Sequence, residues 1–132
     1  EHAFGVDDPT KLSSNPRALR RMVKNYFFRH VELFAFEKEK ELAAMDDYLA
    51  DPPDWPGAMD AYFDEYADIG VDAGARSPDM VIITEEPQQW RVRQILDDPD
   101  GDHGWAFEGV VDLDGSDEAG EVRLSELRVV QG

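Results

Sequence analysis

The spacing of apolar residues changes once along the chain, near Asp79. Before this point apolar residues recur every three or four positions, which is the period of a helix packed on one side. After it they alternate with polar residues at every second position, which is typical of strands with one buried face. This order predicts an α+β fold in which two or three N-terminal helices pack on a four-stranded antiparallel meander.

The longest predicted helix begins at Asn15, a favourable N-cap residue, and Pro16 suits its first helical position. The residues that recur at helical spacing form the largest apolar stripe of the chain: Leu19, Met22, Val23, Tyr26, Phe27, His30 and Phe34. Because His30 lies on this apolar side, we interpret it as a hydrogen-bonded residue at the edge of the core.

A weaker helical pattern continues to about Tyr48, so the stretch forms either one long helix or two helices with a bend near residues 38–41. The sequence Asp-Pro-Pro at 51–53 ends it. A further helix is predicted from the N-cap Asp54 to Gly70. Its apolar stripe consists of Trp55, Met59, Tyr62, Tyr66 and Ile69.

Period-two patterns predict the four strands at about 80–84, 90–96, 105–113 and 122–129. The apolar residues of the last strand change sides partway along it, which predicts a β-bulge near Ser125–Glu126. The stretch Asp114–Gly120 is predicted to be a turn. The same order of elements would also allow the sheet to curl into a cone of the NTF2-like or cystatin-like type.

The chain of 132 residues is long enough for one core, and we predict a single domain over residues 15–132, preceded by a linker-like segment at 1–14. Because the sequence begins at Glu1 rather than Met, we expect it to be a piece of a longer chain or a processed product. It contains no Cys, and neither a membrane span nor a signal-peptide pattern is visible. We therefore expect a cytoplasmic location and no contact with a membrane.

Charge is distributed unevenly: residues 46–132 carry a net charge of −18 and residues 1–45 a net charge of +1, and no acidic residue occurs between Pro9 and Val31. An acidic surface disfavours broad contact with a nucleic acid, but a local basic strip could still touch phosphates. Four basic residues of the acid-free stretch follow helical spacing on a second face: Arg17, Arg20, Arg21 and Lys24. We predict that they contact RNA, an acidic partner, or the acidic side of their own fold.

The sequence gives little support to a catalytic or metal site. It lacks the phosphate-loop, dinucleotide, serine-hydrolase and protein-kinase motifs, so no catalytic residue is assigned. The Asp-rich stretch 97–102 departs from the ligand spacing of a calcium loop and is interpreted as a turn, and no metal is predicted. If the sheet formed a cone, Glu108, Asp112 and His103 could line a pocket, with the carboxylates as acid and base.

Taken together, these segments resemble the C-terminal region, of unknown function, of actinobacterial superfamily II DEAD/DEAH-box RNA helicases. The pieces that carry the resemblance keep their order over nearly the whole chain: His2–Gly5, Ala18–Asn25, Arg29, Val31–Leu33, Asp60–Glu65, Trp90–Gln94, Asp97–Pro99, Gly101–His103, Val111–Leu113 and Ser116–Gly120.

The resemblance implies a parent enzyme that hydrolyses ATP, with Mg in its motor, and remodels RNA. The motor motifs are absent from these residues, so the resemblance implies a non-catalytic accessory domain that itself needs no cofactor. Its expected partners are the helicase motor of the same chain and RNA or an acidic protein surface. The alternative hypothesis is a stand-alone NTF2-like enzyme or small-ligand-binding protein.

Overall fold

A computed structural model describes residues 11–132. The predicted linker-like segment therefore lies mostly outside the described residues, as does the stretch His2–Gly5 of the helicase resemblance. The described part contains four α-helices and one open four-stranded antiparallel sheet, which confirms the predicted α+β fold. The helices are α1 (Pro16–Ala35), α2 (Glu39–Met45), α3 (Trp55–Glu65) and α4 (Leu113–Ala119). Among these residues, no helix has both the length and the apolar character needed to cross a membrane.

Helix α1 begins as its sequence predicts. The Asn15 side chain accepts a hydrogen bond from the backbone N–H of Ala18 at 3.2 Å and so caps the first turn. Five residues of the predicted stripe are buried, with Val23, Phe27 and Phe34 at 0% exposure, and Met22 and Tyr26 are partly buried. After Ala35 the chain turns at Glu37, which has a positive φ of 55°, and α2 follows. Of the two predicted arrangements, the one with two helices is correct.

Helix α3 starts at the predicted cap but ends earlier than predicted. Asp54 accepts a hydrogen bond from the N–H of Gly57 at 3.1 Å, as expected of an N-cap residue. The helix ends at Glu65 rather than near Gly70, because Tyr66 adopts an extended conformation. Tyr66 and Ile69 are nevertheless buried, so the apolar stripe continues in a non-helical segment.

The strands form a meander in the order β1–β2–β3–β4, each pairing antiparallel with the next. They are β1 (Val81–Glu85), β2 (Gln89–Ile95), β3 (Trp105–Asp112) and β4 (Leu124–Gln131). Val110 pairs with Glu126 and Val111 pairs with Leu124, so Ser125 is the extra residue of a bulge. This confirms the bulge predicted from the change of sides in the last strand.

The stretch predicted to be a turn after β3 is instead the short helix α4. Asp112 caps it by accepting a hydrogen bond from the N–H of Gly115 at 3.2 Å, and Gly120 ends it in the left-handed conformation with φ 73°. The buried Ser116 side chain accepts a hydrogen bond from the N–H of Arg123 at 2.8 Å, which ties α4 to the start of β4.

The end of the linker-like segment is attached to the domain. Residues Leu12–Ser14 form a short 3-10 turn before α1. Ser13 donates two hydrogen bonds to the Asp117 carboxylate of α4, from its backbone N–H at 2.9 Å and from its hydroxyl at 2.6 Å. Residues 12–14 are therefore part of the folded unit.

Large side chains fill the space between the helices and the sheet. The ring of Phe34 lies 5.4 Å from that of Phe107 on β3, and the rings of Trp55, Tyr62 and Phe63 surround it at about the same separation. Gly109 lets α1 approach the sheet closely, because a Cβ atom there would lie 2.8 Å from the Phe27 ring. The sheet remains open, and this aromatic core occupies one of its faces.

The loop between β2 and β3 is organised by one buried carboxylate. Asp98 accepts hydrogen bonds from the backbone N–H groups of Asp100 at 3.1 Å, Asp102 at 2.8 Å and His103 at 2.8 Å. Burial alone would raise the pKa of the Asp98 carboxyl, but these N–H groups favour its charged form and hold the pKa below its usual range.

We expect Asp98→Asn to lower the free energy of unfolding at neutral pH by about 1.5–3 kcal/mol, because hydrogen bonds to a charged acceptor are lost. A lowered folded-state pKa contributes stability above the unfolded-state pKa, near 4, and this contribution disappears as the pH falls through the folded-state value. The variant should therefore lose less stability on acidification than the natural chain. Urea unfolding across an acidic pH series measures both effects. If the free energy of unfolding falls equally with pH in both proteins, the pKa of Asp98 is not lowered in the folded state.

Candidate functional site

The four predicted basic residues of α1 line one groove on the surface of the domain. Arg17, Arg20, Arg21 and Lys24 form its helical side. A fifth basic residue, Arg76, reaches the same groove from the connection between α3 and β1. The groove has a volume of about 620 Å³, and Asn25, Phe28, Val81 and Gln94 complete its lining. We call it the basic groove.

Arg76 is held in place by two contacts with α1. Its guanidinium carbon lies 4.5 Å from the centre of the Phe28 ring, which is a cation–π arrangement. The guanidinium also donates a hydrogen bond to Oδ1 of Asn25 at 2.9 Å. These contacts restrain the guanidinium, although the residue as a whole is exposed.

Most of the positive charge in the groove is not neutralised by the described part of the domain. Arg20 pairs with Glu85 at the end of β1 at 2.6 Å, and both side chains are about 40% exposed. Within residues 11–132, Arg17, Arg21, Lys24 and Arg76 form no ion pair with an acidic side chain. An exposed pair such as Arg20–Glu85 contributes little to stability, so Arg20 could exchange its partner for an anionic ligand at small cost.

Gln94 forms part of the wall of the groove and is 2% exposed. Its side-chain nitrogen donates to the carbonyl oxygens of Met80 at 3.1 Å and Ile95 at 3.3 Å. Among residues 11–132 no donor to its side-chain oxygen is found. The groove therefore combines a cationic rim with a buried amide acceptor.

A family model described as a domain of unknown function, DUF3516, matches residues 1–129. The chain belongs to the DUF3516 family. Searches of the curated proteins and of the solved structures gave no match. The family match establishes a domain of unknown function and by itself gives no activity.

The three residues predicted to line a pocket lie in different places in the DUF3516 domain. Glu108 lies on the sheet face opposite the aromatic core and forms ion pairs with Arg93 and with Arg128, the latter at 3.3 Å. Asp112 is the N-cap residue of α4. His103 is exposed in the loop before β3, with a positive φ of 55°. The structure does not bring these side chains together in one cavity.

A second polar cluster of the DUF3516 domain extends from its helical layer to the surface, where Tyr48 is 36% exposed. His30 and Asp46 are almost fully buried, and Nε2 of His30 lies 2.6 Å from Oδ2 of Asp46. The Tyr26 hydroxyl donates to the other Asp46 oxygen, and the Tyr48 hydroxyl lies 3.2 Å from that of Tyr26. This confirms that His30 is hydrogen-bonded, as interpreted from the sequence, but it lies inside the core rather than at its edge. The buried pair His30–Asp46 therefore has a structural role in this domain.

Within the described residues, no group of three or more His, Cys, Asp or Glu side chains is arranged to hold a metal ion. The acidic stretch 97–102 instead uses Asp98 to organise its own backbone.

Sequence reasoning predicted the helical side of the basic groove and missed Arg76, Asn25 and Gln94. One signal for Arg76 was available, because it is the sole Lys or Arg between Lys40 and Arg91. For Gln94 the sequence offers no comparable signal. Its role depends on pairing across the sheet and on the position of α1, which are set by the tertiary structure.

Proposed function

We propose that this DUF3516 domain is a non-catalytic accessory domain of an ATP-dependent RNA helicase, and that its basic groove contacts the phosphates of RNA. The observation that carries the proposal is the convergence of five basic side chains, from two separate parts of the chain, on one groove of a domain with a net charge of −17. The resemblance to the C-terminal region of DEAD/DEAH-box helicases supplies the context of a motor that acts on RNA.

The geometry of the groove favours a nucleic-acid strand, which carries a row of phosphate charges. Arg17 and Lys24 are seven residues apart on one helix, which at 1.5 Å per residue spreads the cations over about 10 Å. Guanidinium groups pair well with phosphate oxygens, and three of the four basic residues that α1 contributes to the groove are arginines. The acidic remainder of the surface would repel the same strand, so binding is confined to this groove.

The accessory role also accounts for what these residues lack. The chain carries none of the ATP-binding motifs of a motor, so the hydrolytic activity belongs to the rest of the parent helicase in this proposal. The domain would hold RNA next to that motor. The alternative of a small-ligand protein is less well supported, because Glu108, Asp112 and His103 lie apart.

We expect the triple variant Arg17→Glu, Arg21→Glu and Lys24→Glu to bind single-stranded RNA about two orders of magnitude more weakly than the natural chain at low salt. Each lost phosphate contact also removes about 0.7 from the slope of the logarithm of affinity against the logarithm of salt concentration, so the slope should become shallower by about 2. Fluorescence anisotropy of a labelled oligonucleotide across a salt series measures both quantities.

A matched control variant is Arg29→Glu, Lys38→Glu and Lys40→Glu, whose three positions are exposed on the same helical layer but do not line the groove. It changes the net charge by the same amount and should keep most of the affinity. An equal loss in both variants would mean that only net charge matters and would contradict a specific site. Absence of RNA binding by the natural chain at low salt would contradict the proposal and would favour an acidic protein surface as the partner.

A further inference from the structure

We infer that the basic groove binds single-stranded RNA with one unstacked base, which lies on the guanidinium of Arg76 and turns its polar edge toward Gln94. This inference rests on the proposed function, since it requires that the groove bind RNA. It adds a contact to a base, whereas the proposed function requires contacts to phosphates alone.

Arg76 has the properties of a stacking platform. Its guanidinium carbon lies over the ring of Phe28 on one side, and the hydrogen bond to Asn25 restrains the group. A flexible arginine that served only as a positive charge would need neither contact. Because the side chain is ordered in advance, a ligand that stacks on its other face loses less conformational freedom on binding. Unstacked RNA bases commonly stack on such guanidinium planes.

Gln94 has the properties of a group that reads a base edge. Both hydrogens of its side-chain nitrogen are used by the carbonyl oxygens of Met80 and Ile95. The opposite orientation of the amide would place its oxygen against these two acceptors, so the orientation is determined by its surroundings. The buried oxygen is then left without a donor among the described residues, which costs free energy until a ligand supplies one.

Nucleobases supply such a donor, because amino or imino N–H groups lie on their pairing edges. In a duplex these edges are already paired and the bases are stacked on each other, so they cannot reach an amide in the wall of a groove beside α1. A single strand can rotate one base outward while its neighbouring phosphates remain on Arg17, Arg21 and Lys24. The arrangement of rim cations and buried acceptor therefore favours a single strand over a duplex.

The test compares three fluorescent ligands of equal length on the 132-residue chain at low salt: a single-stranded oligouridine, a single strand with the same backbone but without bases, and an RNA duplex. We expect the strand without bases to bind about tenfold more weakly than oligouridine, because base stacking on a side chain contributes to affinity. We expect the duplex to bind more weakly than oligouridine as well.

Arg76→Lys is the informative variant, because it keeps the positive charge and removes the planar guanidinium. It should bind oligouridine and the strand without bases with nearly equal affinity, and its salt dependence should stay that of the natural chain. Gln94→Met keeps the side-chain volume and removes the acceptor. It should reduce the difference in affinity between oligouridine and the strand without bases. Arg91→Lys, at an exposed position outside the groove, should keep the full difference.

Three results would overturn this inference in distinguishable ways. If the natural chain binds the two single strands equally, the groove contacts phosphates alone, and the proposed function stands without the base contact. If Arg76→Lys keeps the full tenfold difference, the guanidinium is not the stacking platform. If no RNA binds, the proposed function has failed together with the inference that rests on it.

Discussion

Asp46→Ala is expected to lower the free energy of unfolding by about 3–5 kcal/mol, because it leaves the buried His30 and the partly buried Tyr26 hydroxyl without their partner. Both ring nitrogens of His30 face acceptors. Nδ1 lies 2.8 Å from the carbonyl oxygen of Tyr26, and Nε2 lies 2.6 Å from Asp46. One proton therefore lies on Nδ1, and a second proton lies between Nε2 and the Asp46 carboxylate.

This reasoning predicts a much smaller loss for Asp46→Asn. The amide nitrogen can donate to Nε2 of a neutral His30, while the amide oxygen still accepts from the Tyr26 hydroxyl. Urea unfolding at neutral pH compares the two variants with Asp47→Ala, an exposed neighbour that should change stability by no more than about 0.5 kcal/mol. If Asp46→Ala were as stable as Asp47→Ala, the cluster would contribute nothing to the fold.

Phe34→Ala is expected to cost a similar amount, about 3–5 kcal/mol, for a different reason. Phe34 has 0% exposure, and its ring touches aromatic side chains of α3 and β3. Its removal leaves a cavity that these rigid rings cannot fill by small movements. Phe36→Ala is the matched control, because Phe36 lies just past the end of the same helix and is 64% exposed.

The Phe36 variant should remain within about 0.5 kcal/mol of the natural chain in the same urea unfolding experiment. A loss at Phe34 no larger than that at Phe36 would show that the aromatic cluster is not the centre of the core.

The elements with strong periodicity were predictable from the sequence, and the errors fall where local signals conflicted. The stripe of α1 and the four strands follow directly from burial on one side. The helix α4 was mistaken for a turn because Asp, Gly and Ser favour turns as well as helix caps. Contacts with residues distant in sequence favour the helix over the turn. Ser13 donates to Asp117, and the backbone N–H of Arg123 donates to Ser116.

The end of α3 shows a second limit of sequence reasoning. Tyr66 continues the spacing of the stripe, but an extended backbone buries it as well as a helix would. Its hydroxyl donates to Asp102 at 2.5 Å, a contact that connects it to the distant loop after β2. Such a partner, 36 residues away, cannot be deduced from a local pattern. The same limit explains why Gln94 was missed at the groove.

The order of the elements determines when the core can form. Helix α1 ends at Ala35, but β3, which packs on its apolar side through Phe107 and Gly109, occupies residues 105–112. Tyr48 accepts a hydrogen bond from the N–H of Leu124, so the connection between α2 and α3 is also tied to the final strand. During synthesis on a ribosome, the side of α1 that packs on β3 therefore stays uncovered until residues 105–112 have emerged.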